Sequence, residues 1–214
     1  MRVKICGLMR SKDVEAAWAS GADALGFVVA TPISKRNLRM EEAQKLIKRV
    51  PLFTSSVAVT AASNPKILKS IVKMLSPDAL QLYEGNLPLV CDIHKTHPGI
   101  DIILATPVHR SKSIPNLESL LEVSDAIIAE TPNKFGIGGT GKTHDWHLTR
   151  QIRDRIRPHP LILAGGLTPS NVTSAIEIVR PFGVDVSTGV EDKPGVKNHR
   201  KMKEFIEKAK ETEH

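Results

Sequence analysis

Cys6 and Glu130 are side chains whose types suit proton transfer at a carbon centre. A thiolate takes the proton of a carbon acid, and a carboxylic acid nearby protonates the oxygen that must leave. Each also has a plainer reading: a cysteine beside a strand is most often inert core, and a glutamate at a strand end is a solvated rim charge. Arg36, in Ser34-Lys35-Arg36, suits bidentate capture of a carboxylate, although a basic loop of this kind is usually solvated surface. Two glycine-containing turns, Leu163-Ala164-Gly165-Gly166 and Val186-Ser187-Thr188-Gly189, offer exposed backbone N–H groups to a phosphate. Either alone is a strand ending in glycine; the two on consecutive strands favour phosphate binding.

Gly136 to Thr143 matches the nucleotide-binding pattern GxxxxGK[ST] letter for letter. Its surroundings argue against that chemistry. Such a loop follows its strand directly and opens a long helix, whereas Thr131 to Phe135 intervene here and His144-Asp145-Trp146 follow. The better reading is a glycine-rich loop long enough to fold over a bound ligand.

These residues become a site only if the chain brings them together. Eight short apolar runs recur about every 25 residues. They are Val3 to Gly7, Ala24 to Ala30, Ser55 to Thr60, Ala79 to Glu84, Ile100 to Thr106, Asp125 to Glu130, Pro160 to Gly165 and Val184 to Thr188. Between them the apolar spacing turns helical, as in Met40, Ala43, Leu46, Ile47 and Val50. Asn64-Pro65 and Thr168-Pro169 read as a capping side chain followed by proline in the first helical turn, and Ser11 as the cap of the first helix. Apolar strands alternating with helices imply a parallel sheet buried on both faces. Eight such units predict a (βα)8 TIM barrel, with residues 1–214 as one α/β domain. The alternative, an open doubly wound sheet, lacks its GxGxxG after the first strand. In a barrel the chemistry lies at the C-terminal strand ends, where Cys6, Arg36, Glu130 and both glycine turns fall.

Composition narrows the partners. The 214 residues include 41% hydrophobic and 25% charged residues, the balance of a globular domain, which excludes a disordered chain. No apolar run reaches the roughly 18 residues of a membrane span, and no signal peptide opens the sequence, so a cytoplasmic protein is expected. Cys6 and Cys91 make no disulfide framework and no zinc spacing. The net charge of +7 is dispersed, and only 4% of residues are aromatic, which disfavours nucleic acid and fits an anionic small molecule.

The motifs, in order, are Lys4-Ile5-Cys6-Gly7, Ser34-Lys35-Arg36, Gln81-Leu82, Gly138 to Thr143 with Asp145-Trp146, Ala164-Gly165-Gly166-Leu167 with Asn171-Val172, and Asp185-Val186-Ser187-Thr188-Gly189-Val190-Glu191. In this order the chain resembles the phosphoribosylanthranilate isomerases from end to end. The resemblance implies an Amadori rearrangement of N-(5'-phosphoribosyl)anthranilate in tryptophan biosynthesis, with Cys6 as general base and Glu130 as general acid. It implies that Arg36 holds the anthranilate carboxylate and that Gly166, Ser187, Thr188 and Gly189 receive the phosphate; Gly165, and Gly138 and Gly139 of the long loop, are also expected to bind substrate. Asp185 is expected behind the catalytic pair. No cofactor or metal is implied, because the substrate's own iminium is the electron sink, and the implied assembly is a monomer or homodimer.

Two positions depart from the family pattern. Glu130 stands where aspartate is usual, and Tyr83 where histidine follows Gln-Leu. Their alteration keeps another reading in view: a related phosphate-ligand barrel, isomerase or non-catalytic binder. A P-loop nucleotide hydrolase resting on Gly136 to Thr143 is a further alternative.

Overall fold

The computed structural model describes residues 1–83, 87–108, 117–131 and 141–212. Eight strands run parallel in chain order: β1 (Arg2–Ile5), β2 (Ala24–Val28), β3 (Ser55–Thr60), β4 (Ala79–Tyr83), β5 (Asp101–Pro107), β6 (Ala126–Glu130), β7 (Leu161–Leu163) and β8 (Gly183–Val186). The last pairs with the first, Val3 opposite Val184 and Ile5 opposite Val186, so the sheet closes and the open-sheet alternative falls. Around it lie α1 (Ser11–Ala19), α2 (Met40–Ile47), α3 (Pro65–Leu75), α4 (Leu87–Thr96), α5 (Glu118–Leu121), α6 (Trp146–Ile156), α7 (Val172–Val179) and α8 (His199–Glu211). Among the described residues no helix is long and apolar enough to cross a membrane.

Strand side chains alternate between two apolar layers, as the two-residue period requires. In β3, Ala58 packs outward with the helices, while Val57 and Val59 fill the barrel interior. In β6, Ile127 and Ala129 face out and Ala126 and Ile128 face in. The same parity carries Lys4 and Cys6 inward from β1, Gln81 and Tyr83 from β4, Glu130 from β6 and Asp185 from β8. The interior therefore changes from small and branched apolar residues to ionisable ones at one end.

At the opposite end the sequence repeats Asp-Ala at three strand entries, Asp23-Ala24, Asp78-Ala79 and Asp125-Ala126. Each aspartate accepts the backbone N–H of the preceding strand: Val3 at 2.8 Å, Ser56 at 2.7 Å and Ile102 at 2.7 Å. These bonds fix register where a one-residue slip would turn every interior side chain outward.

Asn64 caps α3 as expected, accepting the N–H of Lys66 at 2.9 Å. Two other helix starts differ from the sequence reading. Arg10, not Ser11, is the N-cap of α1; its backbone is extended and its guanidinium turns onto Asp13 at 2.6 and 2.7 Å. Likewise α7 begins at Val172 with Asn171 as N-cap, because residues 168–171 form a turn. Asn171 accepts the N–H of Thr168 at 2.8 Å and donates to the carbonyl of Gly166 at 3.0 Å, bracing the glycine turn instead of capping its own helix. After β8 the chain makes a 3-10 turn (Thr188–Val190) and a small antiparallel hairpin, β9 (Glu191–Lys193) and β10 (Val196–Lys197), that the sequence reading did not foresee.

Candidate active site

Cys6 and Glu130 both project into the C-terminal end of the barrel, close enough for their charges to influence one another. A buried ion pair acts on this end of the interior as well. Lys4 Nζ donates to Asp185 Oδ1 at 2.8 Å, and both side chains are almost fully enclosed. Burial disfavours the Lys4 ammonium, but Asp185, Cys6 and Glu130 outweigh it, and the proton is held more tightly than on a free lysine. Asp185 thus shares the buried layer that holds Cys6 and Glu130. For Cys6, burial is the leading influence and pushes the thiol upward; Lys4 and Lys197 pull against it, and the net shift remains upward. The resting side chain is a thiol at neutral pH, not the standing thiolate a reactive cysteine usually shows.

Tyr83 completes this layer. Its phenol is bonded to Glu130, and burial together with the nearby carboxylate raises it well above its ordinary range, so it stays a neutral donor. Glu130 is thus oriented by a neighbour, which sets it apart from the solvated rim charge that was its plainer reading from pattern.

Arg36 lies at the rim of the same end. Its Nε and Nη2 fork onto Glu191 at 2.8 and 2.5 Å, and Nη2 also reaches Thr188 Oγ1 at 3.1 Å. Bidentate pairing fixes the guanidinium plane. Glu191 also receives Lys197 Nζ at 2.9 Å, and neither Glu191 nor Lys197 was singled out from sequence as a site residue.

The two glycine turns come together as the phosphate reading requires. Gly165 and Gly166 adopt φ of +89° and +66°, and a Cβ on Gly166 would stand 2.4 Å from the backbone carbon of Lys142. Gly189 packs still closer, with a Cβ position 1.9 Å from the carbonyl oxygen of Leu167. With Glu130, Asp185, Ser187 and Thr188 these turns enclose a cavity of about 100 Å³. A larger one, about 480 Å³, lies at the other end of the barrel near Phe182, away from Cys6 and Glu130.

Gly189→Ala should therefore cost about 2 kcal/mol through backbone displacement, roughly 4–8 °C in Tm for a chain of this size. It should also diminish the stabilisation that inorganic phosphate gives the wild-type chain. Thermal unfolding with and without phosphate measures both. An alanine variant with unchanged Tm and unchanged phosphate response would remove this turn from the site.

Gly138 and Gly139 lie outside the described residues, as does most of the loop after β6. Its described end explains why the nucleotide-loop reading fails: Lys142 and Thr143 pack against the Gly166 turn, and α6 starts only at Trp146. His144 anchors this end, its Nδ1 2.8 Å from Thr131 Oγ1 and its Nε2 2.6 Å from Thr149 Oγ1. The imidazole thus ties the residue after Glu130 to α6. Burial lowers its pKa to about 4, so it is neutral at pH 7.

The pH dependence follows from the sign of that shift. Below pH 6.5 the unfolded chain protonates this histidine while the folded chain does not, so stability falls as pH drops from 6.5 towards about 4. The loss from this group reaches at most about 3 kcal/mol. Denaturant melts of wild type and His144→Asn across that window should show the wild type steeper; parallel curves would contradict the assignment.

Among the described residues, no cluster of histidine, cysteine or carboxylate side chains is arranged to hold a metal. The family model for N-(5'phosphoribosyl)anthranilate (PRA) isomerase matches residues 3–208. The chain is 41% identical over 209 residues to the N-(5'-phosphoribosyl)anthranilate isomerase of Methanothrix thermoacetophila, covering 98% of each chain. A crystal structure of phosphoribosyl anthranilate isomerase with reduced 1-(o-carboxyphenylamino)-1-deoxyribulose 5-phosphate superposes with a TM-score of 0.81 at 37% identity, over 98% of each chain. Another, of monomers generated from the dimeric Thermotoga maritima enzyme, superposes with a TM-score of 0.80 at 36% identity, also over 98% of each chain.

Proposed function

Since this chain belongs to the N-(5'-phosphoribosyl)anthranilate isomerase family, we propose that its own residues divide the work of the reaction as follows. The chain is an isomerase of tryptophan biosynthesis, converting N-(5'-phosphoribosyl)anthranilate to 1-(2-carboxyphenylamino)-1-deoxyribulose 5-phosphate. Glu130 gives its proton to the furanose ring oxygen; the C1'–O bond breaks and the anthranilate nitrogen supplies the pair that forms the iminium. Cys6, as thiolate, takes the C2' proton. The released pair forms a C1'–C2' double bond as the iminium π pair returns to nitrogen, leaving an enolamine that becomes the ketone when C1' gains a proton and the C2' hydroxyl loses one. The iminium is the electron sink, so the chain's part is proton transfer and orientation.

Arg36 holds the anthranilate carboxylate and the turns at Gly166 and Ser187 to Gly189 hold the phosphate, with Gly165 shaping the first turn. The two anionic groups are thereby held at the end of the barrel into which Cys6 and Glu130 project. A small phosphorylated molecule suits a chain of net charge +7, and the reading places the work in the cytoplasm.

The observation that carries this reading is strand parity: Cys6 and Glu130 are turned inward at the same end of the barrel, beside the glycine-lined cavity. The test is the loss of anthranilate-type fluorescence when purified protein meets freshly generated phosphoribosylanthranilate. Rapid loss is expected. Decay no faster than the spontaneous rate would overturn the reading.

A further inference from the structure

Arg36 presents a problem of charge. Its fork is already filled by a carboxylate, Glu191, whose side chain is only 3% exposed. An arginine so paired has its charge cancelled at short range, and a second carboxylate gains little from approaching a neutral pair. Lys197 alters that balance. Its ammonium is fully enclosed and sits 2.9 Å from Glu191 Oε1. It also donates to the backbone carbonyl of Ser187 at 3.0 Å and lies 3.4 Å from Ser187 Oγ. Arg36, Glu191 and Lys197 together carry a net charge of +1, whereas Arg36 and Glu191 alone carry none.

We propose that Lys197 is a positioning residue for the substrate carboxylate: it offsets Glu191, so that Glu191 fixes the plane of Arg36 without cancelling its charge. Among the described residues, Nη1 of Arg36 has no hydrogen-bond partner and is the edge left for the incoming carboxylate. Lys197 itself touches no substrate. Because it also bonds Ser187, it links the carboxylate end of the site to the phosphate turn.

The hairpin explains how the lysine arrives there. β9 begins at Glu191 and β10 ends at Lys197, and Lys197 pairs with Glu191 across the ladder. Arg10 and Asp13 hold the strand from behind through the carbonyl and N–H of Lys197, at 3.2 and 3.4 Å. Six residues of sequence thus return a second cation to the same carboxylate.

The proposal rests on the assignment of Arg36 to the carboxylate, and its test separates the two. Lys197→Met should raise KM about tenfold; kcat should fall as well, because the same cation holds the Cys6 thiol down, so the rise in KM is the reading that bears on the carboxylate. The double variant Lys197→Met/Glu191→Gln restores the net charge of +1 and should return KM to within about threefold of wild type. Lys197→Arg, which keeps the charge, should stay similarly close. Affinity for the reduced product analogue, 1-(o-carboxyphenylamino)-1-deoxyribulose 5-phosphate in reduced form, should follow the same order in titrations that need no turnover. If Lys197→Met misfolds, the double variant and Lys197→Arg still read the effect of charge. A double variant no better than the single, or a single variant with unchanged KM, overturns the proposal. Wild-type protein that turns over substrate while Arg36→Met leaves KM unchanged overturns the assignment of Arg36 beneath it.

Discussion

Cys6→Ala should lower kcat by about 10³-fold while the chain keeps its fold and still binds the reduced product analogue. The side chain is small and lies in the barrel interior, where alanine leaves a void smaller than a methyl group or two. The loss is therefore chemical. The wild-type pH profile should carry the same signature. Burial pushes the thiol up while Lys4 and Lys197 hold it down, with the balance above its ordinary value. The thiolate is the minor form at pH 7, and kcat/KM should climb with pH about tenfold per unit below the thiol pKa, until ionisation is complete or another step takes over. Single-turnover fluorescence across that range measures it. A Cys6→Ala enzyme within a few-fold of wild type would assign the C2' proton to another group.

Glu130→Gln comes next in expected size. The amide keeps the shape and can still meet Tyr83, but it has no acidic proton to give the ring oxygen, and a loss of about 10²–10³-fold in kcat is expected. Glu130→Asp asks a different question. Shortening the side chain withdraws the carboxyl by about 1 Å, and displacement on that scale costs roughly 100-fold when the surroundings are built for the longer residue. Tyr83 is part of those surroundings. Combining Glu130→Asp with Tyr83→His reinstates both residues of the family pattern, and it should recover more activity than Glu130→Asp alone if the two positions changed together. Steady-state kinetics of the four proteins decides this; a Glu130→Gln enzyme near wild-type speed would return Glu130 to the rim.

Much of this site was legible because parity and strand ends are written directly in sequence. Cys6 and Glu130 fall at the ends of apolar runs and Asp185 interrupts one, and counting by twos from the core positions Val57 or Ile128 tells which face a strand residue takes. The same count applied to β1 and β4 would have found Lys4 and Tyr83 as interior groups. The pairing of Lys4 with Asp185 was not legible, since it joins residues 181 apart and depends on how the ends meet. Nor was the role of Gly26, where a side chain would stand 2.9 Å from the sulfur of Cys6. A glycine inside a strand signals close approach, without naming what approaches. The β9–β10 hairpin failed for another reason: two- and three-residue strands full of charge carry no apolar period. The start of α7 was misread because Asn171 uses its side chain on the preceding turn, a choice that Thr168-Pro169 conceals.

The ties between neighbouring strands differ in reach, and the difference bears on assembly. The aspartates before β2, β4 and β6 secure amides only 20, 22 and 23 residues away. Each of those units can settle its alignment early, with little entropy lost to loop closure. The join of β8 to β1 is the opposite case, and a side-chain tie across it is Lys4–Asp185, the ion pair in the same layer as Cys6 and Glu130. The barrel is thus stapled shut through its reactive centre. An incompletely closed chain holds Cys6 and Glu130 on strands that have not yet been brought together, so on the proposed roles activity should appear only when folding ends.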